Sequence, residues 1–293
     1  MLTVYRLYRA LTVAQRKILS RKIVTRELTA NQWLTLLGAV ARFDQRGDQL
    51  RSFAGKSAAW LAGLFFVALF VLGFLPFWVW ATAHLTIIGL FFFFLLLWWR
   101  LRKIDLPDTL RMVVVPLFGI LREESTGIIK AAIDLRGPLE STKRTEHSPA
   151  KNKNYPRVDL SFFCDPWLQV ETQLADGSRL VIEAKDFVRE RSIAKKNARG
   201  KVKYKTKYKG RRLYEVRLAA SHKAYRLAES PHPEDGIRMA VKAGEKRDVI
   251  KLRRMVPSGD PKTPTLPANI DDLTQLLATA YAQLAPSSQE ARA

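Results

Sequence analysis

Residues 57–99 read SAAWLAGLFFVALFVLGFLPFWVWATAHLTIIGLFFFFLLLWW: two apolar stretches, a short aromatic turn between them, and no lysine, arginine, aspartate or glutamate in the run. Ser57 to Leu75 is 19 residues long and as an α-helix spans roughly 28 Å, close to the hydrocarbon thickness of a bilayer. Ala81 to Trp99 repeats that length with His84 as its single titratable group, near the start and so expected at the interface. Backbone polar groups in hydrocarbon need internal partners, and two segments cannot close a barrel, so both must be helices. The expectation is a transmembrane α-helical hairpin. A buried helical pair in a soluble protein fits less well, because Leu90 to Trp99 has no polar face to show water. A cleaved leader is disfavoured too, since the apolar run starts beyond residue 56, behind a basic segment.

The flanks set the expected orientation. Eleven basic residues precede the run against three acids, Glu27, Asp44 and Asp48; Arg100, Arg102 and Lys103 follow it at once; Pro76 to Trp80 is uncharged. The positive-inside bias then puts both termini in the cytoplasm, as in a multi-pass protein of the plasma (inner) membrane. Trp60, Trp98 and Trp99 fall at the inner ends and Phe77, Trp78 and Trp80 at the outer turn, where amphipathic rings favour the headgroup layer. These five tryptophans, with Arg100, Arg102 and Lys103, are the expected interface anchors, and the lipid bilayer is the first expected partner. No ionisable side chain lies at the centre of the hairpin, which disfavours a transport pathway. Ala59, Gly63 and Gly89 are small enough to let helices approach, so an oligomeric channel or transporter accessory subunit stays as a third option.

At 293 residues the chain has room for one sizeable domain besides the hairpin and a small helical part, and its net charge of +22 belongs to both regions outside the hairpin. Such a field draws anionic partners: leaflet lipid, nucleic acid or an acidic protein. The single cysteine, Cys164, excludes an internal disulfide and any multi-thiolate metal site.

Residues 1–56 read as a basic helical region with capping-box starts at Thr12/Gln15 and Thr29/Gln32. After Thr29, residues Trp33, Leu36, Leu37, Val40 and Phe43 make one apolar stripe, free to pack on the chain, lie in the lipid interface or meet a partner. The triplet Gly55-Lys56-Ser57 lacks the first glycine of a phosphate loop, since Leu50 stands in its place.

Beyond Lys103 the hydrophobic period changes to two. Ile129 to Leu135 alternates; 140–157 reads as a polar loop; Leu168 to Leu174 and Leu180 to Ala184 alternate on either side of Asp176-Gly177, a tight hairpin turn. Further hairpins are expected around Gly210, joining 201–209 to 212–219, and around Gly244. Strands without intervening helices indicate an all-β domain over 104–256, an antiparallel sandwich or open barrel. A Pro-rich linker (257–268) and an amphipathic helix (269–285), capped by Asn269, complete the chain.

Residues 189–212 hold twelve basic groups and one acid, Glu190, which is half the net charge in 24 residues. Lys201, Lys203, Lys205, Lys207 and Lys209 occupy alternate positions, so in a strand they line one face about 6.6 Å apart. Lysine on an edge strand discourages edge-to-edge pairing, which is one sufficient reason for such a pattern. The other is an anion-binding stripe for lipid headgroups or phosphate, made of these five lysines with Arg211 and Arg212. Platforms for single-stranded nucleic acid put aromatic rings beside the cations, whereas Tyr204 and Tyr208 face away from the lysines, which favours a headgroup surface over base stacking.

Enzymatic chemistry is not expected. His84, His147, His222 and His232 show no ligand spacing, Ser221-His222 adjacency does not make a nucleophile and base, Asp271-Asp272 completes a helix start, and Cys164 after Phe162-Phe163 reads as a small buried residue with Pro166 as a strand-entry bend. Neither a cofactor cradle nor a metal site is indicated. The expected function is therefore a non-enzymatic adaptor at an anionic membrane surface or acidic partner, with a membrane-tethered nucleic-acid binder as the alternative.

Overall fold

The computed structural model describes residues 2–71, 74, 76–150, 157–196, 200–228, 235–257 and 260–287. The chain forms two compact units: Met1–Arg21 with Leu36–Leu106, and Lys22–Thr35 with Pro107–Ala293.

The first unit is helical: α1 (Leu2–Ala10), α2 (Val13–Arg21), most of α3 (Ala30–Val71) and α4 (Phe77–Lys103). The capping box at α2 forms as its sequence requires, with Thr12 N–H donating to Gln15 Oε1 at 2.8 Å and Gln15 N–H to Thr12 Oγ1 at 3.3 Å. Helix α3 is 42 residues long and runs without interruption across the expected boundary between residues 56 and 57. Neither a proline nor a cap interrupts Gly55-Lys56-Ser57, and one helix carries both an amphipathic and an apolar half. Gly55 lies against Trp98, whose ring stands 3.3 Å from where a Cβ would be. Residues 72, 73 and 75 of the expected first span lie outside the described residues.

The second unit is an antiparallel sheet. Its strands are β1 (Ile23–Thr29), β2 (Ile128–Asp134), β3 (Arg144–Ala150), β4 (Arg157–Gln173), β5 (Arg179–Lys196), β6 (Val202–Ser221), β8 (Ile237–Lys242) and β9 (Arg247–Pro257). Their order is β1-β2-β4-β5-β6-β9-β8, with β3 also on β4; the short strands β7 (Tyr225–Leu227) and β10 (Leu284–Pro286) pair separately. Strand β4 is shared lengthwise, β2 covering Leu168 to Glu171 and β3 covering Val158 to Phe163. The β4–β5 and β8–β9 hairpins stand where expected, the first turning at Gly177 with φ +79°.

On the inner face Ile129, Val170, Ile182, Val216 and Leu252 are buried, and α6 (Asp271–Ala282) packs on β6 and β9 through Leu273 and Leu276. Trp33, at the start of α3, stacks on Phe118 of α5 (Val115–Glu124) at 5.0 Å and donates its indole N–H to Ile129 O at 3.1 Å. The whole stripe Trp33, Leu36, Leu37, Val40 and Phe43 is buried within the chain.

Five expectations need correction. Strand β1 falls in the region expected to be helical; Lys22, at φ +57°, ends the helical path, and only Val24 of β1 is buried, so the edge strand carries no alternation to read. The expected polar loop over 140–157 contains β3, whose polarity reflects solvent contact on most of its length. Gly210 is not a turn: β6 runs straight through it, and a Cβ there would stand 3.2 Å from Leu266, so the glycine makes room for a crossing side chain. The Pro-rich linker is correspondingly docked, with Leu266 buried beside Phe163 and Val188, and Pro261 O accepting from Tyr208 N–H at 2.9 Å. Pro166, lastly, sits within β4 beside a bulge rather than at its entry.

Candidate anion-binding face

Strands β5 and β6 pair without interruption from Arg179↔Ala219 to Lys196↔Val202, so alternate residues of both strands share a face over the whole ribbon. On the outer face of the far half, β6 presents Lys203, Lys205, Lys207, Lys209 and Arg211, while β5 adds Arg189, Arg191 and Lys195. Lys195 stands opposite Lys203, Arg191 opposite Lys207, and Arg189 opposite Lys209. Directly opposed like charges destabilise a sheet, so this arrangement runs against local stability. Lys201 directly precedes β6 and lies outside the ladder itself.

The near half of the same outer face is built differently. There Glu215 holds Lys251 at 2.7 Å, Arg253 at 2.7 Å and Arg217 at 3.1 Å; Glu183 holds Lys185 at 2.7 Å; Glu171 holds Arg179 at 2.5 Å. Burial raises the Glu215 carboxyl, but hydrogen bonds from Lys251 and Arg253 outweigh it and hold it at about 2. Acids alternate with bases in the near half. In the far half of β5 and β6 every charged residue of the outer face is a base, with Phe187 and Ile193 between them.

Edge protection accounts for only part of this pattern. Past Gly210 toward Val202, β6 has β5 on one side and among the described residues no strand on the other, so its lysines guard an edge. Strand β5 is interior, flanked by β4 and β6, and Arg189 and Arg191 have no edge to guard.

Arg212 has to leave the expected stripe. It faces inward and is buried, donating from Nε and Nη2 to both oxygens of Asp186 at 2.7 Å and from Nη1 to Pro267 O at 3.0 Å. Its guanidinium lies over the Trp167 ring at 4.9 Å, and Trp167 Nε1 donates to Asp186 at 3.1 Å. Buried and committed to these partners, the guanidinium is not presented to an external anion. The inner row continues through Asp165, directly opposite Asp186, to Lys143, whose Nζ is 2.7 Å from Asp165 and 3.2 Å from Asp134. Burial pushes the Asp165 carboxyl up to about 6, with Lys143 opposing and Asp186 adding to the rise.

The separation of rings from cations, expected from β6 alone, does not hold for the sheet. Phe162 and Cys164 on β4 and Phe187 on β5 share the cationic face, because Phe162 pairs with Arg189, Cys164 with Phe187, and Phe187 with Arg211. With Thr145 and Glu146 of β3 they form an open cleft of about 630 Å³ whose cationic wall is Arg189, Lys209 and Arg211. Cys164 is thus half-buried on a cleft floor instead of in the core, and burial raises its thiol pKa. The sequence carried the signal in the odd positions of 185–195, which become legible once β5 extends that far.

In the helical unit the expected anchors lie on exposed surface or at helix ends: Trp60 is 80% and Trp78 79% exposed, Lys103 Nζ sits 3.5 Å over the Trp99 ring, and Arg102 lies over Trp98 at 5.4 Å. Phe66, Phe70, Phe77, Leu85 and Phe92 are also exposed. The His84 ring lies tilted against the Trp80 ring at 4.4 Å with its Nδ1 2.8 Å from the Trp80 carbonyl oxygen, and His84 is buried within the chain rather than free at an interface. Asp44, Asp48 and Asp105 cluster within 4.8 Å, with Arg51 paired to Asp48 and Asp105 as counter-charge.

Two further histidines have partners. His222 Nε2 is 3.1 Å from Asp248, and His147 Nδ1 is 3.0 Å from Ser161 Oγ. Glu190 is opposite Ser161, not beside the imidazole, so the row His147–Ser161–Glu190 lacks the order in which a carboxylate orients a base. His232 lies outside the described residues. No family model, no curated protein and no solved structure matches this chain.

Proposed function

We propose that this chain is an integral membrane protein, anchored by the α3–α4 hairpin with both termini cytoplasmic, whose β-sheet domain is a non-enzymatic adaptor for phosphate-bearing polyanions. The observation that carries the reading is the far half of the β5–β6 outer face, where cations oppose cations and acids are missing, although the near half of the same strands alternates the two signs. Opposed charges are relieved when an anion bridges them, so the face is arranged for a ligand and not for its own stability. Large exposed rings on both long helices support the anchor, because lipid is the solvent in which such surface is not penalised. A plasma-membrane protein of this orientation has anionic lipid headgroups in its own compartment, each basic residue contributing about 1 kcal/mol at such a surface.

The test uses the full-length protein in zwitterionic nanodiscs. It should bind vesicles rich in anionic lipid, and the triple change of Lys203, Lys205 and Lys207 to Glu should abolish that binding; unaltered binding would remove this reading. Orientation is checked with Lys205→Cys in a Cys164→Ser background, which an impermeant maleimide should label only after cells are permeabilised.

A second reading, a membrane-tethered nucleic-acid binder, is favoured by the position of Phe162 and Phe187 on the cationic face, the arrangement found in single-strand platforms. It requires strand affinity to fall steeply and log-linearly with salt.

A further inference from the structure

One row across the sheet has a chemical order that a phosphate-binding surface alone does not need. Glu146 of β3 pairs with Phe162 of β4, Phe162 with Arg189 of β5, and Arg189 with Lys209 of β6, so a carboxylate, a ring, a guanidinium and an ammonium follow one another on the outer face. All four line the cleft. We propose that this row binds one nucleotide of a single-stranded nucleic acid, the base resting on Phe162 and Phe187 with its exocyclic amino group toward Glu146 and its phosphate toward Arg189 and Lys209. The inference rests on the second reading above and names the site at which it operates.

Each part has a physical reason. Neighbouring strands lie about 4.8 Å apart, so the backbones of Glu146 and Arg189, on either side of Phe162, stand roughly 10 Å from each other, which leaves width for a flat ring between them. A carboxylate is an acceptor only and reads N–H donors, while a guanidinium and an ammonium meet phosphate oxygens with charge-assisted hydrogen bonds. The next row repeats the theme, Cys164 and Phe187 leading to Arg211. From this cleft Lys207, Lys205 and Lys203 continue along β6 at about 6.6 Å intervals, a ladder for the phosphates of the nucleotides that follow.

The same features argue against a lipid leaflet as occupant of the cleft. A leaflet is planar and cannot reach a recessed floor, and an acid on the rim repels headgroup phosphate. Glu146 is exposed on that rim. It becomes useful only where the ligand brings a donor to it.

The experiment measures binding of short labelled single strands to the full-length protein in zwitterionic nanodiscs at low salt: oligo-dA, oligo-dT and an abasic strand with as many phosphates. Oligo-dA should bind about tenfold more tightly than the abasic strand, and Phe187→Ala should remove most of that difference. Glu146→Ala changes an exposed position and should act with opposite signs, tightening the abasic strand by removing a repulsive charge while bringing oligo-dA down to oligo-dT. Equal binding of the abasic strand and oligo-dA would overturn the nucleotide site while leaving a phosphate-binding face. Absence of any strand binding, with anionic vesicles still bound, would overturn the site and the nucleic-acid reading together.

Discussion

Arg189 on β5 and Lys209 on β6 stand directly opposite each other on one face of the sheet, and neither has an ion pair among the described residues. This is a local penalty built into the longest strand pair. Arg189→Glu would turn the repulsive pair into an attractive one, so it should raise stability by about 1 kcal/mol while weakening polyanion binding. Thermal unfolding of the two proteins checks the first effect. Added salt should narrow the gap, because the screening length shortens from about 10 Å at 0.1 M to about 3 Å at 1 M and weakens both the wild-type repulsion and the attraction in the variant.

The Arg212–Asp186 pair behaves in the opposite way, since both partners are buried and their hydrogen bonds are used internally. Arg212→Leu leaves the Asp186 carboxylate without its counter-charge and should cost about 3–5 kcal/mol. The double variant Arg212→Leu/Asp186→Leu removes the stranded charge and should recover much of that loss. Tryptophan fluorescence on heating reports both, Trp167 being part of the cluster. If the double variant were no better than the single, the cost would lie in packing and not in the unpaired charge.

These two arginine environments show what the sequence could convey. Arg211 and Arg212 are adjacent in a basic run, and only strand parity, with Gly210 read as part of the strand, sends one out and the other in. Taking Gly210 as a turn hid that parity, because the glycine answers to Leu266, 56 positions away in the sequence, and not to its neighbours. The apolar helices, both capping boxes and the Asp176-Gly177 turn were legible, since periodicity and local hydrogen bonding determine them. The cleft was not: its residues come from β3, β4, β5 and β6, and the outer-face positions of Phe162 and Phe187 follow from cross-strand register.

Stability should depend on pH in two opposed ways. Burial raises Asp165 from 3.8 to about 6, so the folded state holds this proton more tightly than the unfolded chain; the resulting stability is present below about pH 4 and lost as pH rises through 6. Glu215 is lowered from 4.5 to about 2, so its contribution is present above 4.5 and lost as pH falls toward 2. The unfolding midpoint should therefore rise by a few degrees from pH 7 to about 4.5 and fall below that. Asp165→Asn should flatten the upper branch alone, because Lys143 keeps Asp134 at 3.2 Å as a partner.

Gly210 should resist substitution in proportion to side-chain size. An alanine Cβ would meet Leu266 at 3.2 Å, a contact that a leucine rotamer shift relieves, whereas valine adds two methyl groups against the same side chain. Gly210→Ala is expected to cost about 1 kcal/mol and Gly210→Val 2–3 kcal/mol, with Leu266→Ala rescuing the valine variant. Additive costs in the double variant would show that the glycine serves the backbone and not the crossing side chain.

The hairpin gives the most direct test of where the protein resides. Phe66 is 64% exposed and lies near the middle of the 57–75 stretch, so in a bilayer it faces lipid. Arginine at a helix centre costs about 2.5–3.5 kcal/mol on insertion, while leucine is as favourable as phenylalanine. Phe66→Arg should therefore shift most of the protein out of the carbonate-resistant membrane fraction, and Phe66→Leu should not. Had the exposed rings been meant for a protein partner in water, both variants would weaken association to a similar degree and the unaltered protein would stay monodisperse without detergent. Trp60→Ala serves as a graded control: at 80% exposure beside the basic flank it lies at the expected headgroup layer, so its loss should loosen anchoring without releasing the helix.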